Sequence, residues 1–235
     1  MPGPETSPAR VLSEVIGVTL LALVVSLVIG AVFLIPLAAL GYSLDTTFAL
    51  AVIVVLGQVG FLVVGYVYIN RRNVKVSFEV SCPEDIAYMI VGTFLVLITV
   101  AGLSLIISYL YLIPDSVIEE ATLVNPTFLI FLAVLSVILV APAGELLFRG
   151  TIQGRLREGF GPVPSIVVSS VLFGSLHLFN YTGGVLPVAM TVSVIVVIGC
   201  ILGMLYERTD NLAVPILVHG IYNVVLLLSS YLAMV

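Results

Sequence analysis

The chain has 235 residues, 61% hydrophobic and only 9% charged, with a mean hydropathy of +1.29. A soluble domain carries about 25% charged residues, so this composition excludes one and describes a chain lying almost wholly within a membrane. The formal net charge of −5 comes from a few residues in short loops and is no nucleic-acid signal. The partners implied are membrane lipid and whatever reaches the chain through it.

Residues 1–10 read as a short disordered tail, and residues 11–235 as a single transmembrane domain. The first apolar run is too long for a signal-peptide core and lacks a clear cleavage site, which predicts a retained helix. A spanning helix needs about 20 apolar residues. By that measure the fold class is all-α, a polytopic transmembrane bundle of about seven helices. The expected spans are Val11–Leu40, Thr47–Ile69, Ile86–Leu112, Thr127–Arg149, Pro164–Phe179, Val185–Tyr206 and Leu212–Met234. The fourth is expected to run on past Arg149 into the polar segment Gln153–Glu158, and the fifth is the shortest. No internal repeat is evident. Pro114–Glu120 reads as a short amphipathic segment at the outer surface.

Charge orients these spans. Arg10 precedes the first, Arg71, Arg72 and Lys75 follow the second, Arg155 and Arg157 follow the fourth, and Arg208 follows the sixth. The loops of the other side, near Asp45, around Asp115, Glu119 and Glu120, and over Asn180–Gly184, contain no Lys or Arg. The positive-inside rule then places the N-terminus in the cytoplasm and, with seven spans, the C-terminus outside. Cys82 falls in a loop and Cys200 in an apolar run, so no disulfide framework is indicated and Cys200 reads as a small hydrophobe.

Three polar stations interrupt the apolar spans. Glu145 and Arg149 sit in Ala141-Pro-Ala-Gly-Glu-Leu-Leu-Phe-Arg-Gly150, four residues apart and therefore on one helix face. Phe173-x-x-x-His177 and His219-x-x-x-Asn223 follow on the fifth and seventh spans. Measured from the cytoplasmic helix ends, the polar groups lie roughly 10 to 20 Å along their helices, within one slab of the bilayer. A charge in hydrocarbon costs at least about 2.5–3.5 kcal/mol on insertion scales, so such groups seldom sit there without a task. Taken singly, Glu145–Arg149 is an ion pair, His219 and Asn223 are a helix–helix tie, and Phe173 is packing. Taken together, they predict one functional polar pocket. A zinc ion on His177, His219 and Glu145 would have an allowed His₂Glu ligand set with an open position, although the His-Glu-x-x-His pattern of soluble zinc proteases is absent and the spacing does not demand metal.

These residues resemble the CPBP family, the CAAX proteases and bacteriocin-processing proteins also called ABI proteins. The family pattern is Glu-Glu-x-x-x-Arg, Phe-x-x-x-His and His-x-x-x-Asn or Asp on three separate helices. Residues 127–235 are similar to its catalytic region. The match includes the flanking Leu146–Gly150 and Ala213–His219. The departure is Gly144, which stands where the family has the first Glu of its pair. The resemblance implies an intramembrane endopeptidase that hydrolyses a membrane-bound or prenylated peptide near the cytoplasmic face. In that role His177 activates water, His219 and Asn223 hold the oxyanion, and Glu145 and Arg149 support the site. Gly144 keeps a second expectation open, a catalytically impaired pseudoprotease serving as a membrane scaffold or immunity factor. A proton or solute carrier built on the same cluster is a third, disfavoured by the absence of a repeat.

Overall fold

The computed structural model describes residues 7–42, 47–74, 76–79 and 83–235; the expectations that fall on residues 1–6, Asp45, Lys75 and Cys82 lie outside these. Seven helices in the described residues are long and apolar enough to cross a membrane: α1 (Pro8–Ala39), α2 (Thr47–Arg72), α3 (Pro83–Tyr109), and, after the short helix α4 (Val117–Val124), α5 (Phe128–Phe160), α6 (Pro162–Asn180), α7 (Val185–Thr209) and α8 (Ala213–Met234). Helices are the expected solution, because hydrocarbon offers no partner to a free backbone amide or carbonyl. The tail is shorter than the sequence implies. Pro8 opens α1, where its fixed φ suits the first turn and its missing N–H costs nothing, so Pro8–Arg10 are helical.

The fourth span is the one that departs from plain α-geometry. It is continuous over Phe128–Phe160, but Ser136–Val140 and Leu146–Gln153 are wound as π-helix. The first wide stretch has a local cause. Pro142 supplies no amide, and its ring would crowd the carbonyl four residues back, which belongs to Ile138 within that stretch. In the second, the Thr151 hydroxyl donates to the Leu146 carbonyl five residues earlier (3.1 Å). Gly161, with φ +75°, then reverses the chain, and Pro162 starts α6 at once.

α5 is the hub. It packs against α1, α2, α6 and α8, while α3 lies against α7 and α8, and α6 pairs closely with α7. One apolar core joins α3, α7 and α8 around Val96, Leu202, Val214 and Val218. A second joins α1, α2, α5 and α6 around Val15, Leu147, Phe148 and Ile152. The half of α5 that carries Glu145 thus runs between two sealed layers.

Each end of the bundle is tied. At one end Glu14 of α1 accepts hydrogen bonds from Tyr68 (2.7 Å) and Arg72 of α2 and from Arg155 of α5 (2.9 Å), and Arg157 pairs with Glu207 of α7 (3.1 Å). The arginines assigned to one membrane side do gather at one end. There too, Asn211 bonds Asp85 and the backbone of Glu79 and Ala213, fastening residues 76–79 to the start of α8. At the other end, β1 (Asp115–Ser116) pairs antiparallel with β2 (Tyr181–Thr182), so the segment expected to be amphipathic is a two-residue strand followed by α4. Cys200 is free and half-buried.

Candidate active site

The three polar stations meet. Glu145 and Arg149, both 0% exposed, face each other along α5, with Arg149 Nε 3.1 Å from Glu145 Oε2. The other carboxylate oxygen, Oε1, lies 2.7 Å from Nδ1 of His219 on α8. A carboxylate can only accept, so His219 holds its proton on Nδ1 and turns Nε2 away from Glu145. A single buried carboxylate therefore joins two helices and orients an imidazole. Arg149 is held from the opposite side as well, its Nη2 donating to the Gly199 carbonyl of α7 (2.8 Å), while Nη1 has no hydrogen-bond partner among the described residues.

Phe173 occupies the centre. The Arg149 guanidinium lies over its ring (5.0 Å), and the rings of Phe148 (5.2 Å), His177 (4.8 Å) and His219 (5.9 Å) meet it edge-on. This aromatic is packing, as expected from its position, but it is the packing that spaces the charged groups. His177 stands where α6 tightens into a 3₁₀ turn over His177–Asn180, and its Nδ1 donates to the Phe173 carbonyl (3.0 Å). Its Nε2 is thereby left to accept. Unlike His219, His177 is only half-buried and makes no bond to Glu145. Asn223, one turn beyond His219 on α8, is half-buried and makes no side-chain hydrogen bond to the described residues.

Gly144 sits beside this group. A Cβ built there would lie 3.8 Å from His219 Cε1 and 4.0 Å from Phe173 Cε2, ordinary contact distances. Position 144 therefore points at the same aromatic and imidazole as the polar cluster and has room for a Cβ.

The zinc expectation concerns His177, His219 and Glu145. Among the described residues no three His, Cys, Asp or Glu side chains are grouped as a metal ion would require. Glu145 serves Arg149 and His219 with its two oxygens, and His177 and His219 are each held through Nδ1.

Several participants were not foreseen. The Gly199 carbonyl that holds Arg149 carries no side-chain signal. Its helix approaches closely because a Cβ at Gly199 would fall 3.0 Å from Ser170 of α6. Gln153, one turn past Arg149, repeats the arrangement by donating to the Gly203 carbonyl (2.9 Å). Tyr222 stacks on His219 (5.9 Å). Its place three residues after His219, on the same helix face, was the available clue.

A buried carboxylate, guanidinium and imidazole, with a second, half-buried imidazole beside them at the junction of four spans, define an integral multi-pass membrane protein with a polar centre inside the bilayer. Residues 126–225 match the family model described as type II CAAX prenyl endopeptidase Rce1-like, so this part of the chain is similar to that family. The match begins one residue from the expected boundary and ends after Asn223. No curated protein and no solved structure matches the chain.

Proposed function

We propose that the protein is an intramembrane endopeptidase acting on a membrane-anchored or prenylated peptide, with its N-terminus and the open side of the site toward the cytoplasm. The observation that carries this reading is the buried Glu145–His219 bond, with Arg149 on the second carboxylate oxygen and His177 across Phe173. Peptide hydrolysis needs a base for water, donors for the oxyanion and an acid for the leaving amine. His177 Nε2 takes a proton from water as the oxygen attacks the scissile carbonyl carbon. His219, protonated and held through Nδ1 by Glu145, donates from Nε2 to the developing oxyanion, with the Asn223 amide as second donor. The proton on His177 then passes to the amide nitrogen as the C–N bond breaks.

Charge favours this division of roles. With His219 protonated, Arg149, Glu145 and His219 together carry one net positive charge, which the oxyanion neutralises. That interaction is strongest at the transition state and in a water-poor site. Arg149 and Glu145 act as positioning residues.

One observation favours a second reading, a pseudoprotease that keeps the cavity and binds peptide without cutting it. Position 144, glycine here, faces His219 and Phe173, so the carboxylate that the family has there would have entered the site. We place weakened hydrolysis ahead of no hydrolysis. The experiment is cleavage of a fluorogenic prenylated or transmembrane peptide by the purified full chain. Cleavage that is lost in His177→Ala and survives a chelator supports the metal-free endopeptidase. An inert wild type that gains activity as Gly144→Glu would establish the pseudoprotease.

A further inference from the structure

Away from the site, a cleft of about 420 Å³ opens between α1 and α2. Its walls are Val18, Leu21 and Val25 from α1 and Val63 and Val67 from α2, and its mouth is formed by the last turn of α2 with Arg71 and Arg72. Leu21, Val63 and Val67 are 53%, 45% and 40% exposed, so the cleft opens outward, towards the bilayer. In a membrane it fills with hydrocarbon, because an unfilled gap forfeits the dispersion contacts of its lining. What the structure decides is which headgroup accompanies that hydrocarbon.

The two arginines at the mouth differ. Arg72 is committed to Glu14 and lies over the Tyr68 ring (5.9 Å). Arg71 is exposed and makes no ion pair or hydrogen bond with the described residues. Among the described residues, the carboxylates of Glu14 and Glu158 near the mouth are engaged with Arg72 and Arg155, and neither pairs with Arg71. One positive charge is left, at the upper end of an apolar slot. An apolar groove ending in a free cation at the interfacial end of two spans has the chemistry of a lipid tail with an anionic head.

We propose that the α1–α2 cleft is a binding site for an anionic phospholipid, with its phosphate on Arg71 and one hydrocarbon chain along Val18, Leu21, Val25, Val63 and Val67. The site is separate from the polar centre and does not depend on whether that centre cuts peptides.

The test offers the detergent-purified full chain an equimolar mixture of phosphatidylglycerol and phosphatidylcholine of identical chains, and native mass spectrometry reads the lipid retained. The expected result is a preference for phosphatidylglycerol of about five-fold, of the size one interfacial basic residue gives. Arg71→Gln should abolish it, and Arg71→Lys should retain it. Leu21→Trp, which fills the slot, should lower retention of both lipids. Equal retention of the two lipids by the wild type, a preference that survives Arg71→Gln, or retention unaffected by Leu21→Trp would each overturn the proposal. Displacement of phosphatidylglycerol by a prenylated peptide that photocrosslinks to the cleft would overturn it too, by giving the slot to a substrate chain.

Discussion

Two carboxylates in this bundle are each held by arginine and by a further donor from another helix, and they differ mainly in depth. Glu14, 21% exposed at the end of α1, takes Arg72, Arg155 and the Tyr68 hydroxyl. Glu145, fully enclosed in α5, takes Arg149 and His219. Near water, such a cluster fastens helices and can exchange its partners for solvent at small cost. In the interior each member depends on the others, since a charge left alone there has no alternative partner. The comparison teaches that similar partner sets give a clamp at the rim and a poised, high-energy constellation at the centre.

The largest expected effect comes from breaking the inner cluster. Arg149→Met leaves the Glu145 carboxylate without its counter-ion and should destabilise the chain by about 3–5 kcal/mol, read by thermal unfolding in detergent. Arg149→Lys should restore only part of this, because a point charge cannot reach both Glu145 and the Gly199 carbonyl as a planar fork does.

Activity separates the clusters next. His177→Ala should lower peptide cleavage by about 10²-fold or more, the usual contribution of a positioned base. Glu14→Gln should leave it unchanged in the same assay. Gly144→Ala then sharpens the distinction between bulk and charge at the centre. The added methyl meets only ordinary contacts and removes a helical glycine, so it should stabilise by about 0.5–1 kcal/mol in the same unfolding measurement without raising activity. A gain restricted to Gly144→Glu would show that the carboxylate, and not the filled space, is what the site lacks.

The smallest effect is at the rim. Glu14→Gln should cost about 1 kcal/mol or less, because Arg72 reaches water and Arg155 keeps Glu158. The loss should shrink further as salt is added. A salt-insensitive loss as large as that of Arg149→Met would erase the contrast between the two carboxylates.

The sequence carried the spans and the meeting of the polar stations, because both follow from one-dimensional patterns. Long apolar runs must be helices in a bilayer, and ionisable residues at matched depth on different helices have good reason to converge. The boundaries differ by a few residues, chiefly where Pro8 and Pro83 start helices before the apolar run does. What it did not carry depends on contacts remote in sequence or on backbone alone. Glu14 reaches partners 58 and 141 residues away, and nothing in its surroundings names Arg72 or Arg155. Gly199 contributes a carbonyl, which every residue has.

The wide turns of α5 leave no mark on hydropathy, yet they behave like single-residue insertions absorbed by the helix. Deleting one amino acid within Leu146–Gln153 would let this stretch rewind as ordinary helix. Residues beyond the deletion would keep close to their present orientation relative to Glu145, because the wide turn is what absorbs the extra residue. Such a protein should still enter the bilayer with its spans in order, since no apolar run is lost. The wide turn is thus slack in the helix, able to take up a gained or lost residue while both flanks keep facing the same neighbours.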